Sequence, residues 1–316
     1  MARQESNLKR NITFWPLMGI AVGQIIGAGV MTMTGIGIGM TGTGVALAFI
    51  LSSLITLIAN IPTTVMGASV PTTGGAYRYV SRLRGKKFGF VYTITYVIAN
   101  LTIALYALSF ASYVGYIFTG INQRMIAALI LIIFFMVNIV GAKQAAILNT
   151  IISAAMIAGL LVFIGFGIPK TDIPLVFSPS NMFVNGPFNF LSTLALLSFA
   201  TGGAQLIAEL GGEIVEPHKN IPRVMIISTV GVGCLYALIA TVAAGVLPVE
   251  QVANQNLSMV AEAIMPKLFF YFFVLFAAGG ATMSTLNATL SFAVDYSSSE
   301  AVETAASGSG ERAVVS

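Results

Sequence analysis

Two stretches of this chain can do chemistry with their backbones, GQIIGAGV at residues 23–30 and SFATGGAQ at residues 198–205. Glycine costs about 1 kcal/mol relative to alanine in a helix interior. The runs Gly27-Ala28-Gly29 and Thr201-Gly202-Gly203 are therefore places where a helix is expected to unwind. An unwound helix presents free N–H groups at the start of one half and free carbonyls at the end of the other. The first suit a carboxylate, the second an ammonium group or Na⁺. An amino acid zwitterion matches both. Side chains offer less: one histidine, His218, one cysteine, Cys234, no His-Glu-x-x-His and no Asp-rich motif. Metal-assisted and nucleophilic catalysis need such sets. Neither an enzyme nor a resident cofactor is expected.

The elements that must position these stretches are membrane spans. Of 316 residues, 57% are hydrophobic and 8% are charged, where a soluble domain carries about 25% charged residues. That balance excludes soluble enzymes, nucleic-acid binders and secreted disulfide scaffolds, and makes the lipid bilayer a partner. The charge-free intervals are residues 11–77, 88–123, 125–142, 144–169, 173–208, 224–249 and 268–294. A span needs about 20 apolar residues, so the first interval folds as two and the others as one each. Eight helices result, near 14–38, 43–66, 88–117, 124–141, 145–168, 188–209, 222–247 and 267–294. With a cytoplasmic N-terminus, only Arg124, Lys170 and Lys267 fall outside among the 15 basic residues. This positive-inside bias predicts a multi-pass protein of the cell membrane with both termini cytoplasmic. Residues 1–296 form the transmembrane domain, 250–266 an external helical hairpin or lid, and 297–316 a disordered polar tail.

Interrupted helices at matching places in two halves point to an inverted-repeat transporter with its site at the midplane. Gly29 and Gly202 stand in the first and sixth spans. The first repeat covers about residues 12–168 and the second begins near 188 and continues to about 296. Gly19, Gly23 and Gly27 also recur every four residues, a stripe that lets helices approach closely.

Four stretches carry a family resemblance. GQIIGAGV is similar to a Gly-x-x-Ile-Gly-x-Gly break, and PTTGGAY at residues 71–77 to a Pro-x-x-Gly-Gly-x-Tyr loop. EIVEPHKNIPR at 213–223 resembles a Glu-x-x-x-Pro-x-x-x-Ile-Pro-Arg signature, and ATMSTLNATLS at 281–291 a Thr-x-Asn-Ala segment. In this order the chain resembles the amino acid-polyamine-organocation superfamily of permeases. The resemblance implies an all-α leucine-transporter-type inverted-repeat bundle working by alternating access. Ile26, Gly27, Ala28 and Gly29 would cradle the substrate carboxylate, and Phe199, Ala200 and Thr201 would receive the amino group, with Gly202 beside them in the substrate site. Asn100, Ile103, Gln205, Ser284 and Asn287 would line the side-chain pocket. None of these is charged, so a neutral or apolar amino acid is expected. Glu209 and Glu213 read as a solvated face or as partners of Arg78 or Arg82.

Some members have a lysine in the fifth helix where Met156 stands here, which leaves Na⁺, held partly by Thr282, Ser284 or Thr285, H⁺, or exchange as the coupling mode. The family usually has twelve spans against eight here, so the second repeat is expected to be incomplete. A truncated, non-transporting fragment and an amino acid-binding sensor on the same fold stand as alternatives. The oligomeric state is not legible.

Overall fold

The computed structural model describes residues 10–71, 75–100, 102–118, 120–287 and 289–290. Long apolar runs fold as helices because lipid offers no partner for an open backbone. Among the described residues there is no named strand. Each expected span has a helical counterpart, and six helices are long and apolar enough to cross a membrane by length and composition. The residues expected to form a disordered tail, 297–316, lie outside the described residues.

The first span is α1 (Phe14–Ile25) and α2 (Ala28–Thr41), separated at Ile26 and Gly27. The second is α3 (Val45–Ala59) and α4 (Ile61–Ser69), which meet at Asn60 just before Pro62. A ten-residue helix, α5 (Gly75–Arg84), precedes the third span, α6 (Lys86–Asn100) and α7 (Thr102–Ile117). Next come α8 (Gln123–Val140) and α9 (Ala142–Gly167), then two one-turn helices, α10 (Ile173–Val176) and α11 (Pro179–Met182). The sixth span, α12 (Gly186–Ala200), gives way after Thr201, Gly202 and Gly203 to 3₁₀ turns over Ala204–Glu209. The seventh is α13 (Pro217–Val246). The expected external hairpin is two short helices, α14 (Val249–Val252) and α15 (Leu257–Ile264), tied to the end of the fifth span by Lys170 Nζ donating to the Ile264 carbonyl at 2.8 Å. The eighth span begins as α16 (Lys267–Phe272), widens to a π-helix over Phe273–Gly279 and continues as helix to Asn287.

The glycine stripe on α1 does what its spacing implies. A methyl group on Gly19 would overlap Thr150, and one on Gly23 would overlap Ser284, Asn149 and Ser153. One on Gly27 would sit 2.7 Å from Thr285 Oγ1. The stripe thus seats α1 against α9 and the eighth span. On its other side α1 meets α13, which packs along α3 with the Phe49 and Tyr236 rings edge-on at 5.2 Å. Ser52 on α3 donates to the Leu194 carbonyl on α12 at 2.9 Å. Trp15 is 73% exposed and leans edge-on against Phe14, as an indole placed at the lipid boundary rather than inside the bundle would be.

Candidate functional site

Both backbone breaks form, and each is held by identifiable partners. At the first, Ile26 and Gly27 leave helical geometry, so two residues separate the end of α1 from the start of α2. The expected Gly27-Ala28-Gly29 loop is tighter in the structure: Ala28 and Gly29 already form the first turn of α2. First-turn N–H groups have no acceptor inside their own helix, so this end of α2 keeps donors to offer. The Ile25 carbonyl at the end of α1 accepts from Tyr236 Oη at 3.0 Å and from the Gly27 N–H at 2.9 Å.

At the second break Gly203 has φ +123°, a left-handed conformation that L side chains rarely adopt. A Cβ there would lie 2.6 Å from the Gln24 carbonyl oxygen, so the two breaks touch through this glycine. Gln205 Oε1 accepts from the Gly203 N–H at 2.8 Å and from Asn60 Nδ2 at 3.2 Å, tying the break to the bend of the second span. Thr56 strengthens the tie, with its hydroxyl 2.9 Å from Thr201 Oγ1 and donating to the Ser198 carbonyl at 3.3 Å. Before α1 and after the 3₁₀ turns the two broken spans pair again. The N–H groups of Asn11 and Ile12 donate to the Glu213 carbonyl, and Val215 N–H donates to that of Ile12.

Between the breaks lies a cavity of about 880 Å³, the size of a small-molecule site. Of the residues singled out in the sequence, Gly27, Gly29, Phe199, Ala200, Gly202 and Gln205 line it. Ile26 and Thr201 stand behind its wall, fully buried. Ile103 packs in a side cluster on α7, and Tyr106, one turn further along that helix, reaches the cavity. Asn100 closes α6, and its side chain lies outside the described residues. No charged residue lines the cavity among those described.

Ser284 and Asn287 do not line the cavity. They point into a buried polar seam between spans, where Ser284 donates to Asn149 Oδ1 at 3.0 Å and Asn287 Nδ2 donates to the Ala145 carbonyl at 2.9 Å. Asn138 Nδ2 reaches Asn287 Oδ1 at 3.0 Å, and Asn149 Nδ2 closes the seam on the Gly19 carbonyl at 3.2 Å. The cavity face of the eighth span belongs to Thr285 and Thr289 instead. The wide turn over Phe273–Gly279 changes the helix phase, so simple periodicity does not say which polar side chain faces which way.

Of the expectations for the acids, the solvated face fails for Glu209, which is 6% exposed and accepts from Tyr92 Oη at 3.4 Å; the side chains of Arg78 and Arg82, the other expected partners, lie outside the described residues. The 3₁₀ turns over Ala204–Glu209 bury Ala204, Ile207 and Ala208 together with this carboxylate. Glu213 is half-buried, and burial pushes its carboxyl above the usual range. Glu216 is exposed, and its partner Lys219, 2.9 Å away, holds it below that range. Met156 is fully buried, its side chain packed against Gly280 rather than facing the cavity. Sequence reasoning missed Gln24, Thr32, Thr56 and Asn60 on the cavity wall. Polar residues within apolar spans were the available signal.

The comparisons with known proteins agree with this architecture. The sequence model for amino acid permeases matches residues 12–298. The chain is 27% identical to the serine/threonine exchanger SteT of Bacillus subtilis, over 71% of this chain and 52% of that protein. It is 31% identical to the human large neutral amino acids transporter small subunit 2, over 70% of this chain and 44% of that one. It spans about half the length of these two relatives. Among solved structures it is similar to Mhp1, a nucleobase-cation-symport-1 family transporter in a closed conformation with bromovinylhydantoin bound. The TM-score is 0.67 at 14% identity, covering 92% of this chain and 68% of that one. The shared fold is the leucine-transporter-type helix bundle.

Proposed function

The chain belongs to the amino acid permease family, and on that premise we propose that it carries a neutral amino acid across the cell membrane by alternating access. The observation that supports this reading is the uncharged cavity placed between two broken helices. The first turn of α2, at Ala28 and Gly29, would receive the α-carboxylate, because its N–H groups and helix dipole favour an anion. The carbonyls at the end of α12, around Phe199, Ala200 and Gly202, would receive the ammonium group. Phe199 is 74% exposed beside them, so its ring can close over a bound substrate. A charged substrate side chain would find no counter-ion on this wall.

Transport would be driven by Na⁺, H⁺ or exchange of a second amino acid. Of the hydroxyls considered for an ion, Thr282 is occupied with its own helix, donating to the Gly279 carbonyl at 2.8 Å. Thr285 donates within its own helix to the Ala281 carbonyl at 3.0 Å but also lies 3.3 Å from the Gly23 carbonyl, so it is the hydroxyl that would share an ion with α1. Both termini would be cytoplasmic.

Thermal unfolding of the purified chain with a panel of ligands tests the reading, since a ligand that binds only the folded state raises its stability. Neutral amino acids should stabilise it, and their amides and decarboxylated amines should not. Equal response to the amines would sink the zwitterion site. Repeating the titration in Na⁺, in K⁺ and at several pH values separates the coupling modes.

A further inference from the structure

Three buried side-chain polar atoms have no hydrogen-bond partner among the described residues: Gln24 Oε1, Thr43 Oγ1 and Ser81 Oγ. Only Gln24 belongs to the cavity wall. Buried acceptors are almost always paired, and one left without a donor is a standing cost. Such an atom in a ligand cavity marks a place where the ligand supplies the donor.

Its surroundings say what kind of group that is. Gln24 sits in the last turn of α1, and its carbonyl oxygen touches Gly203. Gln205 is bonded to the same glycine from the other side, its Oε1 occupied by the Gly203 N–H and by Asn60 Nδ2. Among the described residues no hydrogen bond engages Gln205 Nε2, a donor on the cavity wall that also includes Gln24. Two amide-bearing residues of one cavity wall thus offer an acceptor and a donor. A hydroxyl or carboxamide answers both, because each carries an acceptor and a donor within a few bonds. An aliphatic side chain answers neither and would keep the Gln24 oxygen dry and unpaired.

We propose that Gln24, with Gln205, is a specificity-determining residue that selects neutral amino acids bearing a hydroxyl or carboxamide over aliphatic ones of the same shape. This rests on the amino acid reading above and narrows it.

Threonine and valine differ by one hydroxyl for one methyl, and serve as the probes on the full chain in detergent, with alanine as the reference ligand. Affinities come from ligand-dependent unfolding temperatures. Threonine is expected to bind about ten-fold more tightly than valine. In Gln24→Leu the two should converge to within about two-fold, threonine losing more affinity than alanine does. Gln24→Met, closer in length, serves if the leucine variant does not fold. If threonine binds no more tightly than valine in the parent chain, the inference is overturned whatever the variants do. An unaltered threonine-to-valine ratio in a folded Gln24 variant overturns it as well. If alanine also fails to bind, the amino acid reading itself has failed. Alanine binding alongside equal threonine and valine removes only the selectivity assigned to Gln24.

Discussion

Tyr236 Oη donates to the Ile25 carbonyl at 3.0 Å, so a residue in the middle of the seventh span caps the helix end at the break in the first. The tyrosine is fully buried, with its ring edge-on to Phe49. A break inside a membrane exposes carbonyls that lipid cannot satisfy, and this hydroxyl is one of the groups that makes the break sustainable. Tyr236→Phe keeps the ring and removes the donor. It should lower unfolding stability by about 1–3 kcal/mol, measured by thermal or denaturant unfolding in detergent. A phenylalanine variant as stable as the parent would mean that the Gly27 N–H satisfies this carbonyl alone.

Gly202 and Gly203 are neighbours with different tasks. Only Gly203 has a left-handed backbone and a carbonyl oxygen 2.6 Å from where a Cβ would stand, whereas a Cβ on Gly202 has 3.4 Å of room. Gly203→Ala should cost about 1–3 kcal/mol and weaken ligand binding, while Gly202→Ala leaves the fold intact. Comparing the two unfolding curves checks the assignment, and equal curves would contradict it.

Gly29 lines the cavity, where an added Cβ would be in ordinary contact with Ala200 at 3.6 Å. A leucine there would extend past that contact beside the first turn of α2. Gly29→Leu should therefore weaken amino acid binding by more than about ten-fold while the unliganded protein unfolds at its usual temperature. Binding at parental strength would remove α2 from the site.

Asn149 is fully buried and joined to three neighbours, donating to the Gly19 carbonyl and accepting from Ser284 and Asn287. Asn149→Leu removes one bond from each, leaving the Gly19 carbonyl and Ser284 to Ser153 and Asn287 to the Ala145 carbonyl, and a loss of about 1–3 kcal/mol is expected. The double variant with Asn287→Leu should lose less than the sum of the two single changes, because the residues share a bond.

Glu213 provides a pH signature. Burial raises its carboxyl, so the folded protein holds this proton to higher pH than the unfolded chain does. The resulting stabilisation is complete below the unfolded value and is lost as pH rises through the folded one. Glu213→Gln should then unfold at a higher temperature than the parent near neutral pH, with the gap closing in mild acid. A gap that widens in acid would reverse the assignment.

Much of this architecture is local and was therefore legible along the chain. Apolar run length sets the spans, and the positions of charges set their number. Gly27 and the Gly202-Gly203 pair weaken a helix wherever it is placed, so both breaks could be located within a residue or two. The absence of charge near them already argued for a neutral ligand.

What the sequence left open was orientation. Ser284, Thr285 and Asn287 are all polar and lie within one turn, yet Thr285 faces the cavity while the other two close a seam with Asn149. Glu209 could not be known to fold inward beside Tyr92. Nor could Tyr236 be matched to Ile25, or Gln24 be found unpaired, from residue types alone. A hydrogen bond needs a partner at a fixed distance and angle, and those partners come from helices more than a hundred residues away. Hydrophobicity and glycine content determined where the chain crosses and where it breaks, while helix rotation and packing decided which polar groups satisfy each other and which are left for a ligand.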